Sequence, residues 1–362
     1  MRASGSANLQ SRHRRVHAVG SYGFGNFGDE LFVATIEEHK GSIWPGAKVK
    51  TLAPNSPTSM YSTPSLLGRT IRLGAAGIGL AWADTIAICG GSVLQDVGGV
   101  SRLRLAALRW RRAEALGVSV GPFYSKAAER RVGSFLQRVD RLVVRDQASA
   151  NRVNSLIQNG GNDPLLGGDL AALSGLITNS PRDERSILIC PSAASGIGIS
   201  TLISQVQSAL RVARTESASI THVTLLALSA NALSNDVPLC EALAESLQGL
   251  GLDVRIARYD QLGLEQTCRL ISESGMVWSQ RLHGGIVAYL SGVPFLLVGH
   301  HAKCVDFGTD IGAQEQIIAP EAYWDDTVRA ITSARIQPEM APDVYRSRAY
   351  NAYSIVGTQL DG

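Results

Sequence analysis

Residues 279–303 read SQRLHGGIVAYLSGVPFLLVGHHAK, and this stretch decides the fold class. The apolar run that ends at residue 279 predicts one buried strand, and residues 293–298 predict a second. A short helix is predicted to begin at Gly284, between the two strands. A strand, a helix and a further strand in this order are typical of a parallel βαβ unit in an α/β sheet.

Three basic side chains follow these two strands. Arg281 and His283 come directly after the first strand, and Lys303 lies just beyond the second. Open parallel sheets bind ligands at the carboxyl ends of their strands, so we expect a binding site there. A guanidinium, an imidazole and an ammonium suit a small, strongly anionic substrate. The alternative interpretation is that Arg281 pairs with a neighbouring carboxylate and that His283 only caps the helix.

The same alternation of short apolar runs and helical segments continues along the chain, which at 362 residues exceeds the usual size of a single core. The polar run at residues 178–185 is the best candidate for a linker. We therefore predict two Rossmann-like α/β domains that face each other across a cleft. Their bounds are residues 16–180 and 181–340, with a disordered basic tail (residues 1–15) before them and a helix that returns to the first domain (residues 341–362) after them.

Composition and cysteine spacing exclude several classes of protein. The formal net charge of +3 is mild and no zinc-finger or RNA-binding aromatic pattern occurs, so no nucleic-acid partner is expected. The five cysteines are scattered and form no CxxC pair, which argues against a disulfide framework or a zinc site and for the reducing cytoplasm. The basic, polar N-terminus lacks the apolar segment of a secretory signal.

Two segments of the first half bear on membranes. Residues 73–91 are apolar, but Asp84 and several glycines interrupt the run, so a buried helix followed by a strand is predicted rather than a membrane span. Residues 101–117 are predicted to form one helix that carries five arginines. A solvated helix face is the favoured interpretation. The alternative is a peripheral contact with the inner face of an anionic membrane, or with a lipid pyrophosphate.

A glycine-rich turn follows the first predicted strand. Residues 23–28 match GxGxxG between a strand and a helix, which is the context of a dinucleotide site. Asp29 and Glu30 exclude that interpretation, because they occupy the first helical turn, where a pyrophosphate needs the positive end of the helix. We predict instead a tight turn that presents Asn26 and Asp29. The alternative is that the two acids only stabilise the helix dipole.

Two glycine-containing loops also lie at predicted strand ends. Gly90 and Gly91 follow the strand at residues 84–89 and would let a ligand approach the backbone closely. Ser195 and Gly196 lie in a loop of small residues before a helix, whose first amides could receive a phosphate. Ordinary turns are the alternative in both places.

An arginine occupies the corresponding position after the strand at residues 141–144. Arg145 would lie at the same edge of the first sheet as the glycine pair. It either contributes positive charge to the cleft or forms a local pair with Asp146 or Asp169. Sequence alone leaves both possibilities open.

Taken together, these segments resemble the polysaccharide pyruvyl transferase family. The resemblance rests on four motifs in the order of the family, followed by Lys303: GNFGDELF (residues 25–32), CGGSVLQD (89–96), VVRDQAS (143–149) and RLHGGIVAYLSGVP (281–294). They span most of the chain, and it is their order and spacing that make the set specific.

The resemblance implies a fold like that of GT-B glycosyltransferases and the transfer of a pyruvyl ketal from phosphoenolpyruvate to a sugar. Arg145, Arg281, Leu282 and His283 match positions on which activity in the family depends. The sequence departs from the family before Lys303, where His300, His301 and Ala302 replace a Tyr-Asp-Pro-like turn. The first domain would then bind the acceptor and the second the donor.

The chemistry of the residues fits this implication. Phosphoenolpyruvate carries about three negative charges near neutral pH, because the second ionisation of a phosphate lies near pH 6. Arg281 can grip a carboxylate or phosphate, and Arg145 and Lys303 add charge. His283 is the candidate acid that protonates the terminal carbon, and Asp29 is the candidate that orients or deprotonates the acceptor hydroxyl. The reaction needs no metal and no redox cofactor.

The expected acceptor is a sugar of a cell-surface or exopolysaccharide glycan, or of its lipid-linked precursor. A GT-B glycosyltransferase that uses a nucleotide sugar is the first alternative, although neither a ribose-binding acid nor a base-stacking site is evident. A non-catalytic carbohydrate-binding protein on the same scaffold is the second. Retention of the arginine, histidine and lysine set argues against it.

Overall fold

In the described part of the chain, two parallel β-sheets of six strands each form the frame of the protein. The structure, a computed structural model, describes residues 14–51, 65–95, 111–157, 160–217, 219–231, 234–333 and 336–358. The two sheets belong to two α/β domains that face each other, as predicted from the alternating pattern.

The first sheet contains strands from the first half of the chain. They are β1 (Arg15–Val19), β2 (Lys48–Lys50), β3 (Thr85–Cys89), β4 (Arg112–Val118), β5 (Arg141–Val144) and β6 (Leu165–Leu166), in the order β2-β1-β3-β4-β5-β6. The described helices of this half are α1 (Phe27–Ile43), α2 (Leu66–Trp82), α3 (Lys126–Leu136) and α4 (Gln147–Leu156), with a 3-10 helix at Leu170–Leu173.

The second sheet begins after the polar connection. Its strands are β7 (Asp183–Cys190), β8 (His222–Ala227), β11 (Asp253–Arg258), β12 (Ser274–Ser279), β13 (Phe295–Val298) and β14 (Ile317–Ile318), in the order β11-β8-β7-β12-β13-β14. A small antiparallel hairpin, β9 (Ala230–Asn231) with β10 (Ser234–Asn235), follows β8. The helices are α5 (Ile199–Glu216), α6 (Val237–Ser246), α7 (Tyr259–Ser272), α8 (Leu282–Leu290), α9 (Ala302–Asp310), α10 (Asp325–Thr332) and α11 (Pro342–Thr358), and a further 3-10 helix spans Gln314–Gln316.

Polar side chains define where the helices of the first half begin. Asn26, Ser65, Ser125 and Asp146 each precede a helix and accept a hydrogen bond from a backbone amide of its first turn. Such a cap satisfies one of the amides that a helix start leaves without a partner. The caps thereby fix the position of each helix relative to the carboxyl edge of the sheet.

Helix α1 contributes to a core that both halves share. Phe27, Leu31 and Phe32 belong to the same buried apolar cluster as Tyr259 and Ile286 of the second half. A backbone hydrogen bond from Phe27 N to Leu228 O, 3.0 Å long, joins the two halves beside this cluster. The start of α1 is therefore held by both domains.

The C-terminal helix α11 packs against the first half. Asp169 N donates to Tyr345 Oη at 2.7 Å, and Tyr353 Oη donates to the carbonyl of Gly168 at 2.9 Å. Arg346 donates to Ile177 O and Leu290 O, at 2.8 and 3.2 Å, and so bridges both halves. The helix thereby fixes the turn that carries Asp169.

The prediction of one helix over residues 101–117 is wrong at its C-terminal end. Residues 112–118 form strand β4, and residues 101–110 lie outside the described part of the chain, as does the basic tail up to residue 13. The strand tolerates the charge of Glu114 because Arg14, Arg141 and Trp44 surround that carboxylate. The membrane contact suggested for this helix stays a prediction that co-sedimentation of the full chain with anionic vesicles would test.

Helix α2 corresponds to the predicted buried helix, but it is not buried. Leu66 and Ile78 are 80% and 66% exposed, because the helix packs on the sheet through small residues such as Ala76 and Gly79. Among the described helices, none combines the length and the apolar character needed to cross a membrane.

Candidate active site

The turn before α1 holds Asp29 in place. Asn26 caps the helix by accepting from Gly28 N at 3.3 Å, and its Nδ2 donates to Asp29 Oδ2 at 2.9 Å. Glu30 accepts a hydrogen bond from Gly23 N at 3.0 Å and so closes the glycine-rich segment, in which Gly23 has a φ of 80°. The predicted tight turn is confirmed. The amide of Asn26 is engaged in positioning Asp29.

His283 reaches the first half from the opposite side. It is the second residue of α8, and its ring packs edge-on against Phe32 of α1 with 5.0 Å between the ring centroids. A Cβ atom on Gly28 would lie 1.9 Å from His283 Nδ1, so only glycine permits this approach. The imidazole therefore lies across the domain boundary, on the first turn of α1.

Arg281 is held by a buried carboxylate that the sequence did not reveal. Its Nε donates to Asp236 Oδ2 at 2.9 Å, and its Nη2 contacts Asp236 Oδ1 and donates to Ser234 Oγ at 2.6 Å. Asp236 is fully buried and also accepts from Ala193 N and Ser229 N. Nη1 is the guanidinium nitrogen for which the described residues supply no hydrogen-bond partner.

The sequence left open that Arg281 pairs with a neighbouring carboxylate, and its pairing with Asp236 confirms this. The same interpretation had His283 cap its helix, and that part is wrong. No side chain caps the start of α8. The guanidinium is fixed at its Nε edge by the protein, and any ligand must approach from the Nη1 side. Asp236 lies directly before α6, a position where the sequence suggests a helix cap. It also follows strand β8, which lies next to β7 in the sheet, and this position after a strand is the sequence signal for a site residue.

Arg145 lies between the two carboxylates that the sequence offered as alternatives. Its Nε is 3.4 Å from Asp146 Oδ2, and its Nη1 is 3.6 Å from Asp169 Oδ2. The side chain is only 1% exposed, and Nη2 is buried with no hydrogen-bond partner among the described residues. Two acids thus balance the charge of Arg145, and Nη2 is the atom that remains for another group.

Lys303 lies in the first turn of α9 and makes no direct ion pair with the described residues. Within the described residues it makes no ion pair and no hydrogen bond, so its ammonium is available to a ligand. Burial lowers the pKa of Lys303, and the positive charges of Arg145 and Arg281 lower it further, against the opposing effect of Asp29. Lys303 is therefore a cation of the cleft that makes no direct contact with a carboxylate of the described residues, although Asp29 is near enough to act on its charge.

The pKa values of the two candidate acid–base groups, Asp29 and His283, lie in the reverse of the usual order, in which a carboxyl group has the lower pKa. Burial raises the pKa of Asp29 to about 7, although Lys303 opposes the shift. Burial also lowers the pKa of His283 to about 3, and the charges of Lys303 and Arg145 add to the effect. At neutral pH the imidazole is uncharged, while the carboxyl group of Asp29 is near its titration midpoint.

The glycine pair supports the site through packing. Gly90 and Gly91 have φ values of 68° and 77°. A Cβ atom on Gly90 would lie 2.5 Å from Phe32, the residue against which His283 packs, and one on Gly91 would lie 3.8 Å from Asp29 Oδ1. Gly91 is therefore the member of the pair that borders Asp29.

The remaining predicted positions lie around this centre. Leu282 is 4% exposed and packs into the shared core, so only its backbone is available to a substrate. Ser195 accepts from Ile197 N at 3.2 Å within the loop before α5. Gly196 has a φ of 74°, and nothing lies within 4 Å of the position of its Cβ. Neither residue contacts Arg281 directly; Asp236 connects their loop to it through Ala193 N.

Two histidines that the sequence showed only as a departure from the family also border the site. The rings of His300 and His301 contact each other just before Lys303, with 4.3 Å between centroids and a tilt of 48°. Burial lowers the pKa of His300 to about 4, with help from His301. Among the described residues, no group of three or more His, Cys, Asp or Glu side chains is arranged to hold a metal ion.

The two facing parallel-sheet domains define a GT-B-like fold, and solved structures share it over almost the whole chain. The Staphylococcus aureus MnaA–UDP co-structure is 13% identical, with 95% of this chain and 94% of that chain covered and a TM-score of 0.57. UDP-GlcNAc 2-epimerase from Methanocaldococcus jannaschii is 10% identical (95% and 98% covered, TM-score 0.57). The Neisseria meningitidis enzyme bound to UDP-GlcNAc is 12% identical (95% and 98% covered, TM-score 0.52).

Such low identities show the fold alone, and the family follows from the sequence. The model of the polysaccharide pyruvyl transferase family matches residues 26–302, which include both halves of the site. The chain belongs to this family. A comparison with curated proteins gives no match.

Proposed function

We propose that this protein transfers pyruvate from phosphoenolpyruvate to two hydroxyls of one sugar and releases phosphate. The sugar would belong to a cell-surface or exopolysaccharide glycan or to its lipid-linked precursor. The observation that carries the proposal is that the ammonium of Lys303 makes no ion pair and no hydrogen bond with the described residues, and that Nη1 of Arg281, whose charge acts on Lys303, is also left without a partner by them. The membership in the polysaccharide pyruvyl transferase family supports the same reaction.

The charge of the donor matches this part of the cleft. A carboxylate and a phosphate on a three-carbon skeleton bring about three negative charges. Lys303 offers a point charge, and Arg281 offers the paired hydrogens of Nη1 while Asp236 holds its other edge rigid. A guanidinium that is already fixed loses little conformational entropy when the anion binds. The proposed donor site is therefore preorganised on the second half.

The proposed chemistry conserves protons. An acid adds a proton to the terminal carbon of phosphoenolpyruvate, and the first hydroxyl adds to the neighbouring carbon as its own proton goes to a base. Phosphate then leaves with the electron pair of its C–O bond and takes up a proton. The second hydroxyl closes the ketal and loses its proton. The two hydroxyl protons balance those gained by the methyl group and by phosphate, so the transfer is redox-neutral and needs no redox cofactor.

His283 and Asp29 are the proposed acid and base. A bound trianion would offset the charges of Lys303 and Arg145, which lower the pKa of His283 in the free protein, and would favour the imidazolium. Asp29 belongs to the first half, which we assign to the acceptor, and its raised pKa makes it a stronger base than an ordinary carboxylate. The two groups come from different halves and meet at the first turn of α1, where Gly28 and Asp29 are neighbours.

The pH dependence of kcat should report Asp29. Once the donor is bound, His283 is charged and the carboxylate of Asp29 must be ionised to act as a base, so kcat is expected to rise with pH on a limb near 7, where the pKa of Asp29 lies. Asp29→Asn should remove this limb and lower the rate at pH 8 by about 10²-fold. Glu30→Gln is the matched control: it keeps an acceptor for Gly23 N and should keep the limb, moved to somewhat lower pH because the charge of Glu30 helps to raise the pKa of Asp29. A limb that survives in Asp29→Asn would assign it to another group.

Gly28→Ala tests the contact between the halves. The new methyl group would occupy the position 1.9 Å from His283 Nδ1 and displace the ring, and a misplacement of about 1 Å can cost up to about 10²-fold in rate. Gly41→Ala in the same helix is the control, because nothing lies within 4 Å of its Cβ position. Turnover and melting temperature of both variants should be compared. Equal turnover in the two variants would contradict the assigned geometry.

The direct test incubates the full chain with phosphoenolpyruvate and a panel of free and lipid-linked sugars. Phosphate release that depends on the acceptor, together with a ketal product identified by mass spectrometry, is the expected result. Thermal-shift measurements with phosphoenolpyruvate, UDP-sugars and GDP-sugars provide the comparison. Stabilisation by a nucleotide sugar alone, with no ketal from any acceptor, would favour glycosyl transfer and reject the proposal.

A further inference from the structure

Three buried polar atoms, one on His283 and two on its neighbours, have no hydrogen-bond partner among the described residues. They are Asp169 Oδ2, His283 Nε2 and Arg145 Nη2. Asp169 Oδ2 lies 3.8 Å from His283 Nε2 and 3.6 Å from Arg145 Nη1. A buried polar group without a partner costs about 1–3 kcal/mol, so three such atoms together indicate hydrogen bonds that form in another state of the protein.

The surroundings of Asp169 fix the direction of its carboxylate. Oδ1 accepts from Ala171 N at 2.9 Å and caps the 3-10 helix at Leu170–Leu173. The backbone amide of Asp169 donates to Tyr345 Oη at 2.7 Å, so α11 holds the same turn. With Oδ1 engaged, Oδ2 is the oxygen turned towards His283 and Arg145.

We propose that Asp169 is a positioning residue. It orients His283 and does not itself touch the substrate. Its Oδ2 accepts the Nε2–H of the imidazole, which leaves Nδ1 as the nitrogen that exchanges a proton with the substrate. The enclosure of Nε2 supports this assignment, as does the place of Nδ1 against Gly28 at the start of α1, one residue from Asp29. The inference rests on the proposed function for the role of His283.

The charges around the pair explain why a carboxylate is needed. His283 faces Lys303 on α9 and Arg145 at the end of β5, and both oppose a proton on the imidazole. Asp169 supplies the negative charge that stabilises an imidazolium once the donor is bound. Burial raises the pKa of Asp169, while Arg145 acts in the opposite direction and Asp146 adds to the rise. Asp29 and Arg281 are the other charged groups at this edge, and neither is paired with Nε2.

The proton path follows from this arrangement. When the donor is bound, the imidazolium carries protons on both nitrogens, with Nε2–H directed at Asp169. The Nδ1 proton forms the new C–H bond at the terminal carbon, and the electrons of the N–H bond return to the ring. His283 is left neutral, with its remaining proton on Nε2. The first hydroxyl proton passes to solvent through the base, and His283 takes up a proton from solvent again when the next donor molecule binds.

Asp169→Asn tests the proposal against Asp146→Asn. Both substitutions remove one negative partner of Arg145, but only Asp169 faces His283. We expect Asp169→Asn to lower kcat by about 10-fold to 10²-fold with a KM for phosphoenolpyruvate within a few-fold of the original. The falling limb of kcat at high pH should move to lower pH, because the imidazolium loses its carboxylate. Asp146→Asn should leave that limb in place.

Equal effects of the two substitutions, or an unchanged falling limb, would overturn the proposal. Melting curves identify a variant that fails to fold. The tautomer can also be read in the unsubstituted protein by ¹⁵N NMR, with His283→Gln to assign the signal. The expected result is a protonated Nε2 and an unprotonated Nδ1, and the opposite tautomer would reject the pairing. This measurement needs no turnover, so it separates a failure of the Asp169 proposal from a failure of the proposed reaction.

Discussion

Replacing His283 with alanine is expected to lower the turnover of phosphoenolpyruvate by about 10²–10⁴-fold, the usual contribution of general acid–base catalysis. The reason is specific to this site. The donor's terminal carbon is a weak base, and His283 is the imidazole that the second half presents to the first, against Phe32 and Gly28. Acceptor-dependent phosphate release at saturating donor is the measurement, because it reports chemistry rather than binding.

His300→Ala is the matched control for this substitution. His300 is also a partly buried histidine at the carboxyl edge of the second sheet, but its Nδ1 contacts the carbonyl of Val298. It should retain turnover within about tenfold of the original, since no proton transfer is assigned to it. A His283→Ala protein with near-normal turnover would remove the imidazole from the chemistry. Partial recovery of the rate with added imidazole would show directly that the ring acts as the acid.

Arg281→Lys should lower kcat/KM for phosphoenolpyruvate by about 10²–10³-fold, the usual effect of losing one preorganised donor to developing charge. An ammonium can remain beside Asp236, but it cannot contact both carboxylate oxygens and also present a second nitrogen to the substrate. KM should rise while the melting temperature changes little, because lysine keeps the positive charge that balances the buried Asp236. Steady-state kinetics at fixed acceptor, with a melting curve, measure both.

The control for this change is Arg258→Lys. Arg258 makes a similar fork to Asp260, with distances of 3.1 and 2.7 Å, but at the surface of the same half. Surface pairs of this kind contribute about 0–1 kcal/mol, so the substitution should be nearly neutral. An Arg281→Lys enzyme with unchanged kcat and KM would show that the guanidinium only supports the structure around Asp236.

The position of the site could be predicted because the rules of parallel sheets are local. Arg281, His283 and Lys303 each follow a buried apolar run, and strand ends of one sheet lie at one edge. The turn that presents Asp29 was predictable for a similar reason, since the charge of its first helical turn excludes a pyrophosphate. These inferences need only the residues within a few positions of the motif.

The partners of the site residues could not be predicted, because they come from distant parts of the chain. Asp236 is 45 positions from Arg281 in the sequence, and their contact depends on the order of strands in the second sheet. Asp169 meets His283 only through the packing of one half on the other. The raised pKa of Asp29 and the lowered pKa of His283 follow from burial. A sequence motif does not show how deeply its residues are buried.

The same limitation explains the errors in the first half. The segment before residue 118 has helical periodicity, and a strand there requires partners for Glu114. Arg14, Arg141 and Trp44 supply them from three other segments. The apolar composition of α2 suggested burial, yet much of its apolar surface faces outward because small residues form its contact with the sheet. In both cases the tertiary neighbours decide the outcome.

The division of the site between the two halves has a consequence for fidelity. Asp29 and Asp169 belong to one half, whereas His283, Arg281 and Lys303 belong to the other, and the hydrogen bond from Phe27 N to Leu228 O joins them. If the halves separate to admit a sugar, phosphoenolpyruvate can stay with Lys303 and Arg281, but both aspartates are withdrawn. Water that enters the gap is then out of reach of Asp29, the base assigned to the acceptor hydroxyl. Wasteful hydrolysis to pyruvate should therefore be slow without acceptor, and the rate of phosphate release under those conditions would measure this protection.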